Sequence, residues 1–179
     1  DITHVKGKEL DRIRDKMQIV FQDPYSSLNP RIRIESTIKE PLKHSGRFHG
    51  KSEIQAEADR LMELVGIDER LRQSYPHELD GGRRQRVGIA RALALNPEFI
   101  VCDEPVSALD VSIQAQVLNL LMDLQEKMGV AYMFVTHDLS VVRHISNHIC
   151  VMYLGQLVEK APTEELFLHT LHPYTKALL

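Results

Sequence analysis

Two adjacent carboxylates, Asp103 and Glu104, are the side chains of this sequence best suited to do chemistry. They follow the apolar residues 99–102, which are typical of a strand buried on both faces of a sheet. In open parallel sheets, ligands bind outside the carboxyl ends of the strands. Acids there can hold Mg²⁺ and orient an attacking water in phosphoryl transfer. A solvated acidic turn is the alternative interpretation of the pair taken alone.

A glycine pair precedes a basic helix at residues 79–83, Leu-Asp-Gly-Gly-Arg. Glycines let the backbone approach a ligand closely, and the N–H groups at a helix N-terminus attract anions. The segment is therefore a candidate phosphate site. An ordinary glycine turn with a solvated arginine face is the alternative.

A histidine, His137, follows a second apolar run at residues 131–135. It lies 34 residues after Asp103 (137 − 103), a separation that fits one crossover helix between neighbouring parallel strands. We expect His137 to lie beside the acidic pair at one edge of the sheet. A structural histidine is the alternative.

The elements that must position these residues alternate along the chain. Hydrophobic periodicity predicts strands at 17–21, 99–102 and 131–135, a hairpin at 148–154 and 156–159, and helices at 35–44, 52–65, 84–95, 111–128 and 140–146. Residues 26–30 are predicted to be a loop. This alternation predicts an α/β fold with parallel strands.

The bulk properties exclude several classes of protein. The chain has 179 residues and a formal net charge of −3, and its apolar runs are far shorter than the about 20 residues that span a bilayer. The arginines at 83, 84, 86 and 91 have no interleaved aromatic residues, so we predict no nucleic-acid partner. Cys102 and Cys150 lie in apolar runs, which predicts buried free thiols.

Taken together, these motifs resemble the ATP-binding subunits of ABC transporters in their order and spacing. The resemblance rests on Gln22, residues 79–83, Asp103-Glu104, Ser107-Ala-Leu-Asp110 and His137, and it covers essentially the whole chain. It implies a P-loop NTPase-like core with parallel strands and a helical subdomain. The implied domains are a partial ATPase domain over 1–179, with a helical subdomain at about 35–95, a core at 17–22 and 96–160, and the start of a C-terminal extension at 161–179.

The resemblance also implies a role for each motif. Gln22 matches the Q-loop glutamine, which senses Mg²⁺ and the attacking water and links to the membrane subunits. Asp103 matches the metal-associated acid, and Glu104 the glutamate that polarises water. His137 matches the switch histidine near the γ-phosphate of ATP, and Asp110 closes the D-loop.

The signature loop of the family corresponds to residues 79–83, and it touches the γ-phosphate across a dimer interface. The residues carried over are Leu79, Asp80, Gly81, Gly82 and Arg83. The implied cofactors are ATP and Mg²⁺. The implied partners are integral membrane permease subunits and a second ATPase domain, at the cytoplasmic face of the inner membrane.

Three segments resemble the di- and oligopeptide importer ATPases in particular, some relatives of which carry nickel. They are residues 21–30 (Phe-Gln-Asp-Pro-Tyr-Ser-Ser-Leu-Asn-Pro), 75–79 (Tyr-Pro-His-Glu-Leu) and 172–179 (His-Pro-Tyr-Thr-Lys-Ala-Leu-Leu). The expected function is coupling of ATP hydrolysis to peptide import.

The sequence departs from the family by the absence of a phosphate-binding loop, G-x-x-x-x-G-K-[ST]. Residues 46–52, Gly-Arg-Phe-His-Gly-Lys-Ser, have one residue too few between the glycines, and they follow a predicted helix instead of a strand. They also follow Gln22, whereas the family's loop precedes it. We therefore expect a fragment of a longer protein, with the true loop before Asp1, and we expect the 179 residues alone to be inactive.

A second departure is chemical. The family's signature reads Leu-Ser-Gly-Gly-Gln, and here Asp80 and Arg83 replace the serine and the glutamine. A hydroxyl can donate to phosphate, whereas an ionised carboxylate can only accept. The alternative function is therefore a catalytically inactive fragment or a regulatory partner that docks without turnover; a soluble ABC ATPase is a third possibility, which the importer-like segments disfavour.

Overall fold

The computed structural model describes residues 2–179, apart from the side chain of Pro24. Residue 1 of the domain predicted over 1–179 lies outside the described part. The chain forms two compact units, of which the first runs to Val135 and the second is Thr136–Leu179.

A parallel sheet of three strands is the framework of the first unit. Helix α1 (Gly7–Lys16) leads into strand β1 (Met17–Val20), and the other strands are β2 (Phe99–Asp103) and β3 (Ala131–Val135). The order is β1-β2-β3, with Val20 opposite Cys102 and Asp103 opposite Val135. The carboxyl ends of all three strands therefore lie at the same edge of the sheet, and the end of β2 lies between those of β1 and β3.

The helices between β1 and β2 form a compact apolar layer. They are α2 (Pro24–Ser27), α3 (Ile34–His44), α4 (Lys51–Leu64) and α5 (Gly81–Leu93), with short 3₁₀ turns at Glu69–Leu71 and Pro76–Glu78. The helices α3, α4 and α5 pack on one another. Their shared core comprises Ile34, Ile38, Leu42, Leu61, Val87, Ile89 and Leu93, all nearly inaccessible to solvent. This layer carries the glycine pair at the start of α5.

Helix α6 (Val111–Met128) is the crossover between β2 and β3. Its buried positions, Val117, Leu118, Leu121 and Leu124, recur at helical spacing. The helix ends at Gly129, which adopts φ = +67° and donates its N–H to the carbonyl of Gln125. Glycine reaches this left-handed conformation without steric cost, so the predicted end of the helix is confirmed.

One face of the parallel sheet is buried and the other is apolar but accessible. Ile100 and Cys102 are fully buried, and burial raises the pKa of the Cys102 thiol to about 12. On the opposite face Ile19, Met133 and Val135 are 39–47% exposed. The parallel sheet confirms the predicted α/β fold class.

The second unit is built on an antiparallel hairpin. Its elements are α7 (Leu139–Ile145), β4 (His148–Tyr153), β5 (Gln156–Pro162), α8 (Thr163–Leu168) and α9 (Pro173–Leu178). Leu154 and Gly155, both with positive φ, form the two-residue turn. Ile149 and Val151 pack inward, so the alternation of a strand directs Cys150 outward. The prediction that Cys150 is buried was therefore wrong.

Several element boundaries differ from the predictions for local reasons. The glycines at 81 and 82 lie inside α5 instead of before it, because Asp80 caps the helix. The predicted loop at 26–30 begins as the one-turn helix α2, capped by Asp23 with a proline at its first position. Helix α1 was not predicted, because none of its residues is buried and its apolar signal is sparse.

No helix in the described part of the chain is long and apolar enough to cross a membrane.

Candidate active site

The acidic pair lies where the central strand ends. Asp103 is the last residue of β2, and Glu104 follows it with φ = +43°. The Glu104 N–H donates to the carbonyl of Val135 on the neighbouring strand at 2.8 Å. Positive φ is uncommon for a residue with a side chain and is found where the surrounding structure holds it, often at functional sites. The backbone therefore turns sharply at Glu104, just beyond the sheet.

Gln22 contacts Glu104 directly. The Gln22 Nε2 donates to the Glu104 Oε2 at 2.7 Å, although the two residues are 82 positions apart in sequence. Because β1 and β2 are adjacent and parallel, the residues that follow them emerge at the same edge. The structure thus brings together three predicted site residues, Gln22, Asp103 and Glu104.

His137 belongs to the second unit, two residues after the end of β3. Its predicted place beside the acidic pair stays a prediction.

The oxygen atoms at the sheet edge fit a hard cation such as Mg²⁺. Mg²⁺ prefers oxygen ligands, and proteins usually hold it through one or two carboxylates together with phosphates and water. Asp103 and Glu104 supply carboxylates, and Gln22 supplies an amide oxygen while its nitrogen is engaged by Glu104. The donor set therefore fits a magnesium ion that arrives with a phosphorylated ligand.

Asp80 is the N-cap of α5. Its Oδ1 accepts the backbone N–H of Arg83 at 2.8 Å, and its Oδ2 lies 3.5 Å from Arg83 Nη1. Both side chains are more than half exposed. The carboxylate thus takes one of the N–H groups that an anion would otherwise find at this helix end.

The glycine pair packs against the start of α6. A Cβ atom at Gly82 would lie 2.4 Å from Ile113 Cγ2, and one at Gly81 would lie 3.0 Å from Leu109 Cδ2. Neither glycine has positive φ, so close approach is the reason for the residue type at Gly82. The segment at 79–83 and the loop at 107–110 therefore pack together within one chain.

We expect Gly82→Ala to lower the free energy of unfolding by about 1–3 kcal/mol, because the added methyl group overlaps the Ile113 side chain. Thermal unfolding of the full-length protein measures the effect. Gly88→Ala is the matched control: it lies in the same helix, and its Cβ would meet nothing within 4 Å. That control is expected to raise stability by about 0.5–1 kcal/mol, and equal effects at both positions would contradict the close-approach explanation.

Residues 46–52 do not have the surroundings of a phosphate loop. The segment follows helix α3, and Gly50 is the N-cap of α4. The Glu53 carboxylate accepts the His49 N–H at 2.9 Å, which places a negative charge at the N-terminal turn of α4. The expectation that no strand precedes this segment is confirmed.

Three of the four arginines in α5 are directed into the protein. Arg86 donates to the Val65 carbonyl, Arg91 to the Ser27 carbonyl, and Arg84 is 5% exposed against Tyr25. Of the four, only Arg83 fits the alternative interpretation of a solvated arginine face, since its side chain is 56% exposed. The spacing of seven between Arg84 and Arg91 places both on one helix face, but this spacing alone does not indicate that the face is buried.

A family model described as ABC transporter matches residues 1–107, more than half of the chain. The oligopeptide transport ATP-binding protein OppF of Bacillus subtilis (strain 168) is 54% identical over 172 residues, which cover 96% of this chain and 56% of that protein. The chain spans about half the length of the curated relatives it matches.

Two solved structures share the fold. The protein cbiO1 of Clostridium perfringens, part of the ABC transporter complex cbiONQ, matches with a TM-score of 0.81 at 26% identity, covering 92% of this chain and 64% of that one. The ATP-binding cassette MJ0796, a dimer in a post-hydrolysis state bound to ADP and Pi, matches with a TM-score of 0.75 at 30% identity, covering 89% and 68%. With these likenesses and the family-model match, this chain belongs to the ABC transporter family, and its fold is that of an ABC ATPase domain.

Proposed function

We propose that this chain is part of the ATP-hydrolysing subunit of an importer that carries peptides. The observation that carries the proposal is the hydrogen bond from Gln22 to Glu104 at the end of the central strand, beside Asp103. An amide and two carboxylates at this edge are the groups needed to hold Mg²⁺ and a nucleophilic water for phosphoryl transfer. The match to an oligopeptide transport ATP-binding protein supports the cargo class.

Glu104 is the proposed general base and orienter of the attacking water. Its carboxylate is held by the Gln22 amide at 2.7 Å and its backbone by Val135, so the side chain is positioned before substrate arrives. Positioning and charge stabilisation supply most of the catalysis in phosphoryl transfer. Asp103 and Gln22 are the proposed Mg²⁺ contacts, and the bound ion would neutralise charge that develops on the phosphate oxygens. His137 is the proposed γ-phosphate contact.

A second ATPase domain is the proposed partner of residues 79–83 and of Asp110. The MJ0796 cassette is dimeric and holds ADP and Pi, which supports nucleotide binding between two such domains. In this proposal the signature loop of one domain faces the nucleotide of the other. The N–H groups at the start of α5 are the chemical basis, since a helix N-terminus favours phosphate.

The proposed membrane partners are permease subunits, which this chain would contact at the cytoplasmic face of the inner membrane. The cbiO1 structure belongs to a protein that is part of a transporter complex, which supports a subunit role. Nickel is the competing cargo, as implied by the resemblance of the segments at 21–30, 75–79 and 172–179 to importers of which some carry it.

The test is reconstitution of the full-length protein with its permease subunits in vesicles that contain MgATP on the ATPase side. We expect ATP-dependent uptake of a labelled di- or oligopeptide, with no uptake of ⁶³Ni²⁺. Uptake of nickel in place of peptide would refute the cargo, and absence of ATP hydrolysis would refute the enzymatic role.

The second candidate function is a partner that docks and binds nucleotide without turnover. It is favoured by one observation, the Asp80 carboxylate that caps α5 in place of the family's serine. Phosphate release by the full-length protein distinguishes the two candidates. Both predict MgATP binding and copurification with the permease, but the second predicts no release of phosphate above background.

A further inference from the structure

Two arginines of α5 reach the short helix that follows Gln22. The Arg84 guanidinium carbon lies 3.6 Å from the centre of the Tyr25 ring, and Arg91 Nη1 donates to the Ser27 carbonyl at 2.7 Å. The first contact is made in the opening turn of α5 and the second in its last turn. Helix α2 is therefore held against α5 by two arginine side chains that start seven residues apart on α5.

Arg84 is buried, but not every nitrogen of its guanidinium group has a hydrogen-bond partner. Its Nε donates to the Pro76 carbonyl and its Nη2 reaches the His77 carbonyl at 3.4 Å. Within residues 2–179, its buried Nη1 has no hydrogen-bond partner. Burial lowers the pKa of Arg84, and Asp23 opposes that shift. Because burying an incompletely paired cation costs stability, fold stability alone does not account for arginine at this position.

Tyr25 is 64% exposed, so it contributes little to the core. Its ring covers the guanidinium of Arg84, and such stacking is the arrangement in which an arginine and an aromatic face attract one another. Tyr25 lies three residues after Gln22, and its backbone N–H donates to the Asp23 carboxylate at 2.7 Å. The ring position is therefore tied to the position of Gln22.

Arg84 also contacts the signature loop and the turn that precedes it. Its backbone N–H donates to the Asp80 carbonyl at 3.0 Å, and its guanidinium holds the two carbonyls of the turn that leads into Leu79. A continuous series of contacts thus runs from Glu104 through Gln22, the turn of α2 and the Tyr25–Arg84 pair to the signature loop.

We propose that Tyr25 and Arg84 form a positioning link that makes the loop of Gln22 and the signature loop move as one body. Neither residue is catalytic. The link sets the position of the signature loop according to the position of the Gln22 amide. A movement of Gln22 would therefore be accompanied by a movement of residues 79–83. The inference rests on the proposed function for its consequence in turnover, but the link itself is a property of one chain.

The test uses the full-length ATPase subunit, with and without its permease. Tyr25→Leu removes the ring, and Tyr25→Phe is the matched control, because it keeps the stacking face and loses only the hydroxyl. Arg84→Lys keeps the charge and loses the planar fork. Hydrogen exchange at the backbone N–H groups of residues 79–84 is measured in the nucleotide-free subunit without permease, where neither hydrolysis nor docking contributes.

We expect Tyr25→Leu to speed exchange at residues 79–84 by about fivefold or more, and to lower permease-stimulated kcat by a similar factor with KM for MgATP unchanged. Tyr25→Phe is expected to match the wild type in both measurements. Tyr25→Leu/Arg84→Lys is expected to be no worse than the more impaired single variant, because both remove one link.

Unchanged exchange in Tyr25→Leu would overturn the inference, even if turnover fell, because the loss would then lie in docking to the permease. Additive losses in the double variant would also overturn it. If the wild-type complex hydrolysed no ATP, the proposed function would fail while the exchange measurement would still decide whether the link exists.

Discussion

Replacing Glu104 with glutamine in the full-length protein is expected to lower kcat for ATP hydrolysis by about 100- to 10,000-fold. Glutamine has nearly the same shape and can still accept the hydrogen bond from Gln22, but it cannot take a proton from the attacking water. Asp103 and Gln22 are the proposed contacts to the metal of MgATP and are unchanged, so KM for MgATP is expected to stay within about twofold of the wild type. Phosphate release under saturating MgATP measures the first value and a concentration series the second.

Glu126→Gln provides the matched control for this substitution. It makes the same chemical change at an exposed position of α6, away from the end of β2. Full activity in Glu126→Gln together with loss in Glu104→Gln would assign the loss to the site. Unchanged hydrolysis in Glu104→Gln would show that another group activates the water, and the proposed role of Glu104 would be wrong.

Replacing Asp80 with serine is expected to raise the hydrolysis rate of the assembled dimer by about tenfold or more. Two negative charges about 4 Å apart repel by ~4 kcal/mol at an effective dielectric constant of 20. The exposed ion pair with Arg83 offsets only about 0–1 kcal/mol of this. Serine removes the charge, supplies a hydroxyl donor and caps a helix as well as aspartate does. Steady-state hydrolysis by the full-length dimer with its permease measures the change.

Two further substitutions at the same position separate charge from capping. Asp80→Asn keeps a capping side chain and removes the charge, so it is expected to raise the rate as well. Asp80→Ala removes the cap, and it is expected to lower the free energy of unfolding by about 0.5–2 kcal/mol. If serine and asparagine both left the rate at the wild-type value, Asp80 would not face a phosphate in the dimer, and the candidate function without turnover would lose its only support.

Much of the fold followed from local patterns in the sequence. Strand β2 was predicted because it is a continuous apolar run. Helix α6 was predicted because its apolar residues recur with the period of a helix. The turn at Leu154 and Gly155 followed from a glycine between two apolar runs. Such signals depend on residues within one or two turns of each other, so they can be recognised without knowledge of the partner surface.

The features that the sequence did not predict needed information about the packing partner. Cys150 was expected to be buried because its neighbours are apolar, but the hairpin buries Ile149 and Val151 and leaves the side chain between them outside. A solvated arginine face was one of two interpretations of α5 that the sequence left open, because the charge of an arginine gives no local indication of burial. Arg84 is buried because Tyr25 and the carbonyls of residues 76 and 77 surround its guanidinium.

By itself, the sequence determined the fold class, the order of the motifs and which residues are candidates for phosphoryl-transfer chemistry, because residue type and spacing are properties of the chain alone. The tertiary structure decided that Gln22 and Glu104 are in contact across 82 residues, and that Tyr25 stacks on Arg84. It also decided why a glycine stands at position 82, since a Cβ atom there would overlap the Ile113 side chain at the start of α6. These facts depend on strand order, register and helix packing, which arise only when distant segments bury their apolar surfaces against each other.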